Sequence, residues 1–144
     1  MSENNALFFE DMHVGMTEQI EKVLGNDEVQ TFADLTGDNN PIHLNEEYAA
    51  TTMFKGRIAH GMLTASLISN ILGTKLPGTG AIYLSQSVRF RAPVMVGDTV
   101  VVSATVSDMN EKRKIVTLSC QCKVGDVLVL DGEAKVMVSS NSGK

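Results

Sequence analysis

The sequence predicts an α+β domain in which an antiparallel sheet wraps around one buried central helix. Two observations carry this. Residues 58–72 form a run that is apolar nearly all round (Ile58, Met62, Leu63, Ala65, Leu67, Ile68, Ile71, Leu72), and a helix apolar on every side belongs inside a protein. After it comes a series of strand-like runs separated by turn signals.

The elements follow in chain order. Residues 1–6 are polar and expected to fray. Residues 23–35 carry a helical pattern around Gly25-Asn26-Asp27. Asn40-Pro41 is a helix start signal, with Asn40 as cap and Pro41 at the first helical position. Asn45, with Glu46 and Glu47 in the next turn, is a rival start for a helix including Tyr48 and Ala49. Gly73 and then Pro77-Gly78 end the central helix. Strands are expected at residues 81–90, broken by Pro93, then at 99–106, 115–124 and 128–138. Residues 108–114 and 124–126 read as hairpin turns. Residues 139–144 form a low-complexity tail. With 144 residues and no internal repeat or linker, residues 1–144 are expected to be one domain.

Composition excludes several classes. A net charge of −5 argues against a general nucleic-acid binder, which would carry a basic patch. No segment reaches the roughly 18 apolar residues of a membrane span, and no charged-then-apolar signal peptide opens the chain. No membrane association and a cytoplasmic location are therefore expected. Cys120 and Cys122 lie two apart in a strand-like run and point to one face, as reduced thiols. His13, His43 and His60 show no ligand spacing, so no metal is expected.

The chemically distinctive run is Thr36-Gly37-Asp38-Asn39-Asn40-Pro41-Ile42-His43. It sets a carboxyl group and an imidazole five residues apart between apolar flanks. On a regular helix such residues point about 140° apart, so a loop is needed to bring them together. A base and an acid held close in a dry site can move protons on a substrate; the alternative is a capping aspartate and a surface histidine. A nearby helix N-terminus would favour an ionised Asp38 and a neutral His43. An anionic ligand would need a local positive spot, which Lys55 and Arg57 or Arg89 and Arg91 could supply, unless they are ordinary surface charge.

Gly37-Asp38-Asn39-Asn40-Pro41-Ile42-His43, followed by Ala49, resembles the hydratase signature of the MaoC-like (R)-specific enoyl-CoA hydratases. Arg57-Ile58-Ala59-His60-Gly61-Met62-Leu63 resembles the start of that family's central helix. Phe90-Arg91-Ala92-Pro93-Val94-Met95-Val96-Gly97-Asp98 resembles its strand–turn–strand segment. The likeness covers residues 8–138. It implies a hot-dog fold and reversible hydration of a trans-2-enoyl thioester to the (R)-3-hydroxyacyl thioester. It also implies an acyl-CoA substrate, no cofactor beyond that coenzyme A thioester, a role in fatty acid metabolism, and a homodimer. Asp38 and His43 would share the proton transfers. The N–H of Gly61 would stabilise the thioester oxygen, and Ser69 would orient the carboxylate. His60 is read as structural, bonding a loop carbonyl. Other members of the same fold imply alternatives: a 3-hydroxyacyl-carrier-protein dehydratase, a thioesterase, or a non-catalytic acyl-CoA-binding module.

Overall fold

A computed structural model describes residues 4–141 of the chain. Five strands, β1 (Thr17–Val23), β2 (Ile82–Phe90), β3 (Thr99–Asn110), β4 (Ile115–Val124) and β5 (Val127–Met137), form one antiparallel sheet ordered β1-β3-β4-β5-β2. Four helices accompany it: α1 (Asn26–Thr36), α2 (Pro41–Leu44), α3 (Glu46–Ala50) and α4 (Gly61–Thr74). The long helix α4 packs against β1, β2, β3 and β5, so it lies across the sheet as the core element.

Strand periodicity builds the sheet's inner face. Val100, Val102, Ala104 and Val106 of β3 point inward with Val116, Leu118, Cys120 and Cys122 of β4. Register places these beside Leu130, Ala134 and Val136 of β5. Opposite them stand Leu63, Ala65, Ile68, Ile71 and Leu72 of α4. Both cysteines are free and buried on this face, as expected. Burial pushes the Cys120 thiol up to about 11 and the Cys122 thiol up to about 12, so both stay protonated and act as small apolar side chains.

Four expectations need correction. Strand β1 was not foreseen: in Thr17-Glu18-Gln19-Ile20-Glu21-Lys22-Val23 only two residues are apolar. It is an edge strand held by its backbone ladder to β3, which leaves almost no side-chain pattern. The central helix begins at Gly61, not at residue 58, because the three preceding residues are pulled straight. Ile58 bridges Met95, and the Ala59 N–H donates to the Val94 carbonyl at 2.7 Å. The helix is also not buried all round in the single chain: Met62, Ser66, Ser69, Asn70 and Gly73 are exposed. Finally, residues 5 and 6 are tied down. The Asn5 N–H donates to Thr74 O and Ala6 bridges Gly78. Ser139 and Asn141 also bond the N-terminal segment at Phe9 and Glu10. The rest of the frayed start and of the tail, residues 1–3 and 142–144, lies outside the described residues.

Gly132 marks where β2 and β5 approach too closely for any side chain. A Cβ there would stand 1.8 Å from the Ser87 carbonyl oxygen and 3.0 Å from Val88 Cα, both backbone atoms. Gly132→Ala should therefore lower stability by about 1–3 kcal/mol, the usual cost of overpacking, read as a drop in thermal midpoint. An unchanged midpoint would show that the two strands can separate freely.

Candidate active site

The site is assembled by loops at one end of α4. Helix α1 stops at Gly37, whose φ of 84° is a left-handed conformation that glycine adopts without strain. The chain then turns sharply. The Asp38 N–H donates to Thr36 Oγ1, and Asp38 Oδ1 accepts from the Asn40 N–H at 3.3 Å. Asn40 caps α2 by accepting the Ile42 N–H. Asn45 caps α3 by accepting the Tyr48 N–H. Both start signals read in the sequence are used, each for a short helix.

These turns place His43 inside and Asp38 outside. His43 is 7% exposed; Asp38 is exposed at the rim. His43 Nδ1 lies 2.7 Å from the Ile58 carbonyl. A carbonyl only accepts, so Nδ1 carries the hydrogen and Nε2 keeps its lone pair. Burial is the main cause holding His43 below the ordinary histidine range, and the neighbouring His60 adds to it. The Ile58 bond and Asp38 pull the other way without reversing it. His43 is thus buried rather than the surface histidine of the alternative reading, and its burial favours the neutral ring.

His60, 2% exposed, caps the segment. Its Nε2 donates to the Asp38 carbonyl at 3.0 Å, the structural bond to a loop carbonyl expected from the sequence. Its ring stacks on His43 at 3.8 Å between centroids, 28° from parallel, while Phe32 flanks it. One donor atom from each of Asp38, His43 and His60 lies within 4.8 Å of the other two. Sequence spacing gave no sign of this cluster, because the chain returns through residues 44–59 to build it.

These groups open on a cavity of about 600 Å³. Met53, Met62, Phe90 and Arg91 form its exposed mouth. Ala59, His60, Thr64, Val94, Val129 and Leu130 form its buried floor. Gly61 lies on the wall at the first position of α4, where among the described residues its N–H and that of Met62 have no acceptor. A Cβ at Gly61 would come 2.7 Å from the Phe90 ring, so glycine lets this ring cover the helix start.

The remaining sequence candidates separate. Arg57 is turned inward: its Nε donates to the His43 carbonyl at 2.7 Å and its Nη2 to Asn26 Oδ1 at 2.8 Å. It holds the loop. Arg91 reaches the mouth of the cavity and pairs with Asp131 at 3.1 Å. Lys55 and Arg89 are exposed, Lys55 beside cavity residue Phe54. Ser69 is exposed on α4 and outside the cavity lining, so this chain does not bring it to Asp38. Sequence reasoning passed over Thr64, hidden in an apolar run, and the carbonyl of Ile58, which no sequence signal marks.

Comparison with known proteins gives a consistent outcome. The family described as "MaoC like domain" matches residues 10–125. The chain is 52% identical over 138 residues to a 3-hydroxybutyryl-CoA dehydratase of Methylorubrum extorquens, covering 96% of this chain and 88% of that protein. It is 49% identical over 131 residues to an (R)-specific enoyl-CoA hydratase of Rhodospirillum rubrum, covering 91% of each. A solved (R)-hydratase from A. caviae superposes with a TM-score of 0.88 at 44% identity, covering 90% of this chain and 98% of the other.

Proton acceptance at His43 Nε2 needs the neutral ring, and the shift at His43 is downward. If His43 takes the proton, activity should stay level through neutral pH and fall only below the ordinary histidine value of about 6.5. Stability carries the same sign: the unfolded chain takes up the proton first, so folding weakens as pH drops through that window. A pH profile of kcat/KM checks the first point; an acid limb centred above 6.5 would contradict it.

Proposed function

The chain belongs to the MaoC-like domain family, and we propose that it is an (R)-specific enoyl-CoA hydratase, a hydro-lyase of hot-dog fold that adds water to trans-2-enoyl-CoA. The observation that carries this is that three groups line one apolar cavity: the Asp38 carboxyl group, the bare Nε2 of His43, and the N–H of Gly61, which has no acceptor among the described residues. Relatives at 44–52% identity named as hydratases or dehydratases of this class support it.

The chemistry maps onto these groups. Water held between Asp38 and His43 loses a proton to the pair as its oxygen bonds to C3 of the enoyl group. The C2–C3 π electrons move toward the thioester, and negative charge grows on its oxygen. The Gly61 N–H at the helix start faces that charge, where a donor is worth most in a water-poor site. The pair then delivers a proton to C2. No bond to sulfur breaks and no metal or other cofactor is needed.

In this reading the coenzyme leaves through the mouth, where Arg91 would meet its phosphates, and the exposed Lys55 and Arg89 are further candidates for them. The reading includes a homodimer built through β2. That edge strand pairs only with β5 and exposes Ile82, Leu84 and Phe90 beside Met137, and an open apolar edge invites a second strand. A role in fatty acid metabolism and a cytoplasmic site complete it; two free buried thiols suit a reducing compartment. No helix among the described residues is long and apolar enough to cross a membrane.

Mixing the protein with crotonyl-CoA should remove the enone absorbance, yield (R)-3-hydroxybutyryl-CoA and release no free thiol. Free thiol appearing in step with enone loss, or (S) product, would overturn the assignment. Asp38→Asn and His43→Gln should bind the thioester yet lose about 10²-fold or more in turnover; near wild-type rates would remove that residue from the chemistry. Sedimentation should give twice the mass of one chain, and a monomer at micromolar concentration would refute the β2 interface.

A further inference from the structure

A donor that water reaches gives little to a growing oxyanion, because the bond to water must be given up first. Gly61 is exposed at the start of α4, so its N–H is open to water from the side of the mouth. The same bond strengthens once water is kept out. Four exposed residues form that mouth, and three of them, Met53, Met62 and Arg91, carry long, flexible side chains. The fourth, Phe90, is a stiff ring.

Phe90 stands directly against Gly61. Its ring carbons Cε1, Cδ1 and Cζ lie 2.7, 2.9 and 3.2 Å from the place a Cβ of residue 61 would take. The ring therefore rests on the glycine Cα, beside the N–H of the same residue. Both residues line the cavity, so the space next to the pair is open to a thioester. The backbone under the ring is fixed. Phe90 ends β2 opposite Leu130, and the next two N–H groups, of Arg91 and Ala92, both donate to the Val129 carbonyl at 2.8 and 3.3 Å. Yet the ring is 55% exposed, so it gives up much of the stabilisation that a buried ring would supply. A dimer through β2 would cover its outer side and leave its contact with Gly61 as it is.

We propose that the Phe90 ring is the water shield of the thioester oxygen. It lies along the bound enoyl thioester, keeps bulk water from the Gly61 N–H and so lets that donor polarise the carbonyl. This rests on the hydratase reading and assigns a further residue to that reaction. The ring neither gives nor takes a proton. Its effect grows with the charge on the thioester oxygen, which is small in the bound substrate and largest in the transition state, so it acts on kcat rather than on KM. It also accounts for glycine at position 61, since a side chain there would push the ring off the helix start.

Phe90→Leu, Phe90→Val and Phe90→Ala uncover the donor in steps. With crotonyl-CoA, kcat should fall in that order. The leucine variant should stay within about threefold of wild type and the alanine variant should lose about tenfold or more, part of the roughly 10²–10³ that removal of a whole donor costs. KM should stay within about threefold throughout. A second readout follows the carbonyl itself. With turnover arrested by Asp38→Asn, the infrared stretch of an isotope-labelled crotonyl-CoA carbonyl should move to lower frequency on binding. Adding Phe90→Ala should return it toward the value of the free thioester. An unchanged kcat, or a KM that rises while kcat holds, overturns the proposal. So does a carbonyl band that Phe90→Ala leaves in place, since a ring that only packs on the helix would not move it. Each of these results leaves the hydratase assignment intact, because the wild-type protein hydrates crotonyl-CoA in all of them. A wild-type protein that hydrates nothing removes the assignment and the proposal together. Matched thermal midpoints show that each rate is read on folded protein, and the leucine and valine variants carry the test where alanine lowers the midpoint.

Discussion

Everything at the site depends on a latch between residues 38–43 and residues 57–60. Arg57 donates to the His43 carbonyl, His43 donates to the Ile58 carbonyl, and His60 donates to the Asp38 carbonyl. The Ile58 N–H adds a longer bond to the Ile42 carbonyl. Each bond joins one segment to the other, and three of them run from a side chain to a backbone acceptor. A neutral bond of this kind contributes about 1 kcal/mol, and one from a guanidinium more. Their larger effect is on geometry. Two imidazoles acquire defined tautomers because a carbonyl can only accept, and so the free nitrogen of each ring is fixed as well. The segment 57–60 is itself clamped to the β2–β3 connection through the Val94 carbonyl and the Arg57 carbonyl. The sheet therefore sets the position of the loop at residues 38–43 at one remove.

The latch explains a division in exposure that would otherwise look inconsistent. His43 is buried and Asp38 is not, although both are placed in one proton-transfer pair. Burial keeps the imidazole neutral and so available as an acceptor. Exposure leaves the carboxyl group in contact with water, the reactant. Pressing both inside would have required a partner for each at the cost of desolvating a charge.

Legibility in the sequence followed the physical strength of each signal. Strands β4 and β5 were readable to within one residue because their alternation is enforced by a core on one side, and β2, an edge strand with no buried residue, was readable as an apolar and aromatic run between the breaks at Pro77-Gly78 and Pro93. Strand β1 was not, since an edge strand is held by backbone bonds and can carry polar residues on both faces. The boundaries of α2 and α3 were legible through their asparagine caps, which are local chemistry. Helix α4 was placed three residues early because Ile58 and Ala59 are apolar for a different reason: they sit in an extended bridge against Met95 and Val94. The motif at residues 37–43 was legible as a pair of groups, but the contributions of Ile58, His60 and Arg57 to it are long-range. No local periodicity encodes a carbonyl fifteen residues away.

His60 joins the two halves of the proposed chemistry. It is the capping residue of α4, immediately before the Gly61 N–H that would meet the growing negative charge. It is also the ring stacked on His43 and the donor that holds the Asp38 backbone. Charge stabilisation belongs to a helix terminus, which is stiff and set by the core. Proton transfer belongs to a loop, which could otherwise drift by the ångström that ruins a transfer distance. A residue fixed by the helix and bonded to the loop makes the two move as one body. That is why a histidine whose own nitrogens do no chemistry in this scheme is nevertheless buried at its centre.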